Sequence, residues 1–175
     1  FDTNGNLTTA DGAMVQGWTA ANGVVNTTGS ISGIKLPLGT SMAPTGTTNA
    51  TLAGNLPADG SGTPPTNDLK VYDAKGQLVD VTLSYTFDTA TSKWSLSFND
   101  PSATTQPADI ALSFNADGTL DTTATTTPAS VTLNGQTVKL DLSGLTAFGG
   151  DNTTEVVTSD GNAMGSLASY SISPD

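Results

Sequence analysis

Leu69-Lys70-Val71-Tyr72-Asp73-Ala74-Lys75-Gly76-Gln77-Leu78-Val79-Asp80-Val81-Thr82-Leu83-Ser84-Tyr85-Thr86-Phe87 is the stretch whose reading decides the fold. From Val79 to Phe87 every odd position is apolar or aromatic. The even positions are Asp80, Thr82, Ser84 and Thr86. An unbroken period of two is the pattern of a strand with one buried and one wet face. Asp73-Ala74-Lys75-Gly76 supplies the reversal before it, with Gly76 free to take a positive φ. A short polar loop then leads into Lys93-Trp94-Ser95-Leu96-Ser97-Phe98, which alternates in the same way.

Working outward, the alternation resumes at Ile110, Leu112 and Phe114, and Asn115-Ala116-Asp117-Gly118 repeats the turn chemistry of residues 73–76. Val131-Thr132-Leu133 and Val138-Lys139-Leu140 flank Asn134-Gly135. That dipeptide predicts a two-residue hairpin loop pairing Leu133 with Gln136 and Val131 with Val138. Thr51–Leu56 is a further short strand. Strands spaced roughly ten residues apart, with turn signals between them, predict a sandwich or barrel. The flanks read more weakly. Ala13–Trp18, Ile31–Leu38 (ended by Pro37) and Leu167–Ile172 are expected strands, and Asn22-Gly23 opens a polar loop. Residues 39–50 have the composition of a linker. Around a short Glu155-Val156-Val157, residues 149–163 lose the alternation. The expected fold is therefore all-β, with two sandwich- or barrel-like domains. The first is discontinuous (1–47 and 148–175), and 48–147 form a second domain inserted into it.

Composition excludes several functions. Among 175 residues there are five Lys, no Arg and sixteen acids, giving a net charge of −11. Nucleic-acid binding needs basic surface to displace counterions, and an anionic membrane would repel this chain. With no Cys and no His, zinc sites built on those residues, thiol nucleophiles and the imidazole base are unavailable. No stretch approaches the roughly 20 apolar residues of a membrane span. The chain opens at Phe1 rather than Met, which suggests a fragment or a processed form. Fifteen of the acids are Asp, mostly beside Gly, Asn or Thr, where Asp makes turns.

Candidate sites divide between turn chemistry and ligand chemistry. Asp2-Thr3-Asn4-Gly5-Asn6 places oxygens at alternate positions, as a calcium loop does, but lacks the Glu and the helix of an EF-hand, so a plain turn is expected. Asn6, Asn26, Asn49 and Asn152 head glycosylation sequons that a chain so rich in Asn and Thr produces by chance. Asp73, Asp80, Asp88 and Asp100 are the carboxylates nearest the aromatic strands. A glycosidase acid also needs apolar enclosure to raise its pKa, and Asp73 and Asp80 are already explained by a turn and a wet strand face. Trp18, Trp94, Tyr72 and Tyr85 could stack on a sugar, although Trp94 and Tyr85 lie in phase with core neighbours. No catalytic, cofactor or metal residues are assigned, no cofactor is expected, and an enzyme is the least supported class.

Val71-Tyr72-Asp73-Ala74-Lys75-Gly76, followed by the long alternating strand and Lys93-Trp94, resembles the signature of the bacterial flagellar hook protein family. Asn4–Leu7, Gly12–Trp18, Ile34–Pro37, Ala50–Leu56, Leu112–Leu120, Leu145-Thr146 and Ser159-Asp160-Gly161 resemble further segments of that family in the same order. The resemblance implies the outer two-domain part of a hook subunit, without the terminal coiled-coil segments. It also implies that this fragment is soluble and monomeric, while the full-length protein self-assembles into a flexible helical tube passing torque from motor to filament. Hook cap and hook–filament junction proteins are the further partners it implies. The implied location is extracellular, in the flagellum, after export by the flagellar secretion system. Two other readings stay open: another axial protein such as the distal rod, and a bacterial surface adhesin or carbohydrate-binding β module.

Overall fold

The computed structural model describes residues 1–21, 24–36 and 41–166. The expected Asn22-Gly23 turn, the Pro37 stop with Leu38, the start of the 39–50 linker and the Leu167–Ile172 strand lie outside them. Every regular element among the described residues is a strand. The chain divides into two compact units, one formed by Phe1–Met42 with Gly165–Asp175 and one by Ala43–Met164.

The first unit is built from short pieces. These are β1 (Gln16–Gly17), β2 (Ala20–Ala21), β3 (Val24–Val25), β4 (Ser32–Gly33) and β5 (Ser41–Met42). β1 pairs with β4 and β2 with β3, both antiparallel. Isolated bridges join Asn6 to Lys35 and Thr8 to Met14. The strand expected over Ala13–Trp18 shrinks to two residues because it has no buried face; Met14 and Trp18 are both exposed. In the described part of Ile31–Leu38, strand pairing is likewise limited to Ser32–Gly33 and the bridge at Lys35.

The second unit carries the long strands: β6 (Asn49–Asn55), β7 (Thr66–Tyr72), β8 (Leu78–Asp88), β9 (Lys93–Asn99), β10 (Ile110–Leu112), β11 (Ala129–Leu133), β12 (Gln136–Thr146) and β13 (Glu155–Ser159). The two-residue β14 (Gly165–Ser166) follows in the chain but belongs to the first unit, where it pairs antiparallel with β5. One sheet runs β10-β9-β8-β7 and the other β11-β12-β6-β13. Their inner faces share one apolar core that takes Leu69, Val71, Val81, Leu83, Tyr85, Leu96 and Leu112 from the first sheet and Leu52, Leu133, Val138, Leu140 and Leu142 from the second. This is sandwich packing, with alternate residues of each strand turned inward.

The opening stretch behaves as its period demands. Val81, Leu83 and Tyr85 are fully buried while Asp80 and Thr86 are exposed. Asp73 closes the β7–β8 turn by accepting the Lys75 and Gln77 N–H groups at 2.8 Å each, with Gly76 at φ +79°. The Asn134-Gly135 hairpin has the expected register, Leu133 opposite Gln136 and Val131 opposite Val138. Both loop residues have positive φ (47° and 69°), as a type I′ turn requires.

Three features differ from the expectation. Residues 43–50 are anchored rather than linker-like: Thr47 is fully buried, and its hydroxyl accepts the Tyr72 N–H at 2.9 Å. β6 pairs in parallel with β12, whose partner residues lie about ninety positions later. β13 joins β6 as an edge strand, so the compact unit runs to Met164, past the boundary expected at residue 147. A register shift between Val156 and Thr158 explains why β13 shows no alternation.

Truncating the fully buried Leu83 to Ala should cost about 2–5 kcal/mol in urea denaturation. The exposed Thr86→Ala on the same strand should stay within about 0.5 kcal/mol. Tyr85→Phe should raise the urea midpoint, because the buried Tyr85 hydroxyl has no hydrogen-bond partner among the described residues.

Candidate functional site

The outer face of the β7–β8–β9 sheet follows from the same alternation that builds the core. Ladder pairing sets Lys70 opposite Asp80, Asp68 opposite Thr82, Ser84 opposite Ser97 and Thr86 opposite Ser95. The result is a surface of short hydroxyls and a few charges, with Tyr72 opposite the exposed Leu78 at one end. Its hydroxyls are turned largely onto their own sheet. Ser97 donates to the Ser84 carbonyl at 3.2 Å, Ser95 to the Thr86 carbonyl at 3.4 Å, and Thr82 to the Asp68 carboxylate at 3.1 Å. The Lys70–Asp80 pair at 3.8 Å is well exposed, so solvent screens most of its attraction. A neighbour meeting the middle of this face finds the Thr82, Ser95 and Ser97 hydroxyls already bonded, and apolar area only at the end where Leu78 is exposed opposite Tyr72.

That description applies to this sheet face and not to the whole chain. Met14, Trp18, Val24, Val25, Ile31 and Met42 in the first unit are all exposed.

The carboxylates proposed near the aromatic strands are not brought together into an acid–base pair. Asp73 caps the β7–β8 turn and Asp80 sits on the wet face. At the other end of β8, Asp88 accepts the Thr91 hydroxyl at 2.7 Å and the Ala90 N–H at 2.9 Å, bonds that lower its pKa. Asp100 is the buried one, 1% exposed. Burial pushes it up, but donors from Ser102, Asn134 and Ala103 outweigh that and hold it below the usual carboxylate value. A retained negative charge is the reverse of what a general acid needs.

Asp2 forms an Asx-type turn. Its carboxylate accepts the Asn6 side-chain amide at 2.7 Å and the Asn6 and Asn4 N–H groups at 2.8 and 2.9 Å. The Asn6 side chain contributes most to lowering its pKa. No cluster of three or more acids able to hold a metal ion occurs among the described residues. Of the sequon asparagines, Asn6 and Asn49 have their side-chain amides engaged with Asp2 and Asp160. Asn26 and Asn152 accept from Thr28 and Thr154 in local turns. Trp94 and Tyr85 are core residues, Trp94 donating to the Pro57 carbonyl at 3.1 Å and packing on Phe87 with ring centroids 5.2 Å apart. Burial pushes the Tyr85 phenol up. Trp18 lies in the other unit and donates to the Gly29 carbonyl at 2.8 Å.

Two polar clusters escaped the sequence reading. Asn134 donates its N–H to Asp100 at 2.7 Å and its side-chain amide to the Val71 and Gln77 carbonyls at 3.1 and 3.2 Å. It thereby ties the tip of one sheet's hairpin to two strand ends of the other. Asp160 accepts the Thr48 and Asn49 N–H groups at 2.8 and 3.0 Å, the Thr48 hydroxyl at 2.7 Å and the Asn49 amide at 2.8 Å. Burial opposes its charge, but these four donors hold it far below the ordinary value.

A family model described as the flagellar basal body protein FlaE D2 domain matches residues 46–162, all within the Ala43–Met164 unit. No curated protein matches the chain.

A carboxyl whose folded pKa is depressed contributes stability that is complete above its unfolded pKa, here 3.8, and is lost as pH falls below it. The urea midpoint should therefore hold steady from about pH 7 to 5 and fall below about pH 4. Asp160→Asn should lower the midpoint at neutral pH and flatten the acid decline; an unchanged acid limb would contradict this assignment.

Proposed function

The chain belongs to the FlaE D2 domain family of flagellar basal body proteins, and from that premise we propose that it is a structural subunit of the flagellar hook. In this reading the full-length protein polymerises with copies of itself into a flexible helical tube outside the cell, after export by the flagellar secretion system. The tube passes torque from motor to filament. The Ala43–Met164 unit is the domain inserted into a discontinuous first domain. Contacts between copies are heterologous, as an open helical assembly requires. Hook cap and junction proteins meet the ends of the tube.

The observation that carries this reading is the outer face of β7–β9. A tube that bends as it turns must break and remake lateral contacts in every revolution. Away from the Tyr72–Leu78 pair at one end of the face, hydroxyls bonded to their own sheet make a surface that adheres weakly and lets go. The chain's charge of −11 adds a soft repulsion between copies that salt screens.

Thr82→Leu with Thr86→Leu in the full-length protein should leave export intact and make the hook stiffer. Swimming speed should drop while hooks remain visible by electron microscopy. Normal swimming with normal hook curvature would remove the role assigned to this face.

A further inference from the structure

Asn-Gly pairs occur in the chain at 4–5, 22–23 and 134–135. This dipeptide is open to cyclisation: the glycine nitrogen, unhindered by a following Cβ, attacks the asparagine Cγ and expels the side-chain nitrogen as ammonia. The pair at 22–23 lies outside the described residues. At 4–5 the Gly5 N–H donates to the Asp2 carbonyl at 3.0 Å. At 134–135 the glycine is exposed, and its N–H makes no hydrogen bond among the described residues. The attacking nitrogen is therefore free there, and what restrains the reaction is the geometry of Asn134 itself.

Two restraints act. Asn134 has φ +47° in a type I′ turn, whose mirror relation to type I sets its ψ at about +30°. At that ψ the Gly135 nitrogen lies nearly opposite Cβ across the Cα–C bond, out of reach of Cγ. Ring closure needs the two on the same side. The leaving nitrogen is held as well. Nδ2 donates to the Val71 and Gln77 carbonyls at 3.1 and 3.2 Å, and the Asn134 N–H to Asp100 at 2.7 Å. Cyclisation requires the hairpin tip to rotate, which breaks the tie to the other sheet.

The product does not fit the place the amide leaves. Opening of the cyclic imide gives Asp or isoaspartate. Either puts a carboxylate where a donor stood, facing the Val71 and Gln77 carbonyl oxygens and close to the Asp100 carboxylate. Isoaspartate also adds a carbon to the main chain, inside a loop whose length sets Leu133 opposite Gln136.

We propose that Asn134-Gly135 is a self-modification site, blocked while the clamp is closed, that turns an opening of the hairpin tip into a permanent change. The Cγ–Nδ2 bond breaks as a bond from Cγ to the Gly135 nitrogen forms, and ammonia leaves. Water then cleaves the imide, so that amide plus water becomes acid plus ammonia with no other reactant. A chain that has reacted has lost this tie between its sheets. The proposal does not depend on hook assembly.

The test incubates the 175-residue chain at mildly alkaline pH over a series of urea concentrations, with Asp and isoaspartate at position 134 quantified by peptide mass spectrometry. Conversion in the native chain should be at least about tenfold slower than in the urea-unfolded chain. It should rise with urea already below the global midpoint, and less steeply than global unfolding, because lifting the tip exposes less surface. Asn134→Asp, which supplies one product directly, should lower the urea midpoint. Equal rates in the native and unfolded chains, a native rate that follows global unfolding alone, or an unchanged midpoint for Asn134→Asp would overturn the proposal.

Discussion

One apolar layer, shared by two four-stranded sheets, is the constraint on which the rest of the Ala43–Met164 unit depends. Each strand must turn alternate residues toward that layer, and the period of two then fixes what the opposite face carries. In β8 the same geometry that buries Val81, Leu83 and Tyr85 places Asp80 and Thr86 in water. A one-residue slip would exchange these sets, so the polar outer face is a consequence of the core and shares its precision. The sheets are also clamped by Asn134, whose N–H and amide reach Asp100, Val71 and Gln77 at one end of the sandwich. An amide with its hydrogen bonds made across two sheets holds orientation in a way that apolar contact alone does not.

Legibility in the sequence follows from how local each signal is. The β7–β8 and β11–β12 hairpins were readable because turn residues and alternation sit within a few positions of one another, and their registers came out as the spacing requires. The parallel β6–β12 pairing has no such local mark, since its partners are far apart in the chain and no short turn joins them. β13 was obscured by the irregularity at Val157, which breaks the period of two. Thr47 looked like linker because its anchor is a hydroxyl on a backbone amide rather than an apolar side chain. The polar face of β8 was legible; that Ser95 and Ser97 spend their hydroxyls on the neighbouring strand's carbonyls was not, because cross-strand geometry decides it.

The acids show the same division. Asp73 and Asp117 were readable as turn formers, and both accept backbone N–H groups two residues on. Asp100 and Asp160 bond to partners 34 and 111–112 positions away, a role that composition does not reveal. In each case the carboxylate is used to hold backbone, which accounts for an acidic chain whose acids serve shape. The chain has no Cys, so the fold is held without disulfides, by its core and by polar contacts of this kind.

The most direct measurement is an electron cryomicroscopy map of the polymer formed by the full-length protein, taken in straight and curved states. A helical tube in which the β7–β9 faces of neighbouring copies shift past one another between the two states, with the sandwich itself unchanged, is the expected result. Failure to form a tube, or a tube in which those faces keep fixed contacts while the sandwich deforms, would contradict the central claim.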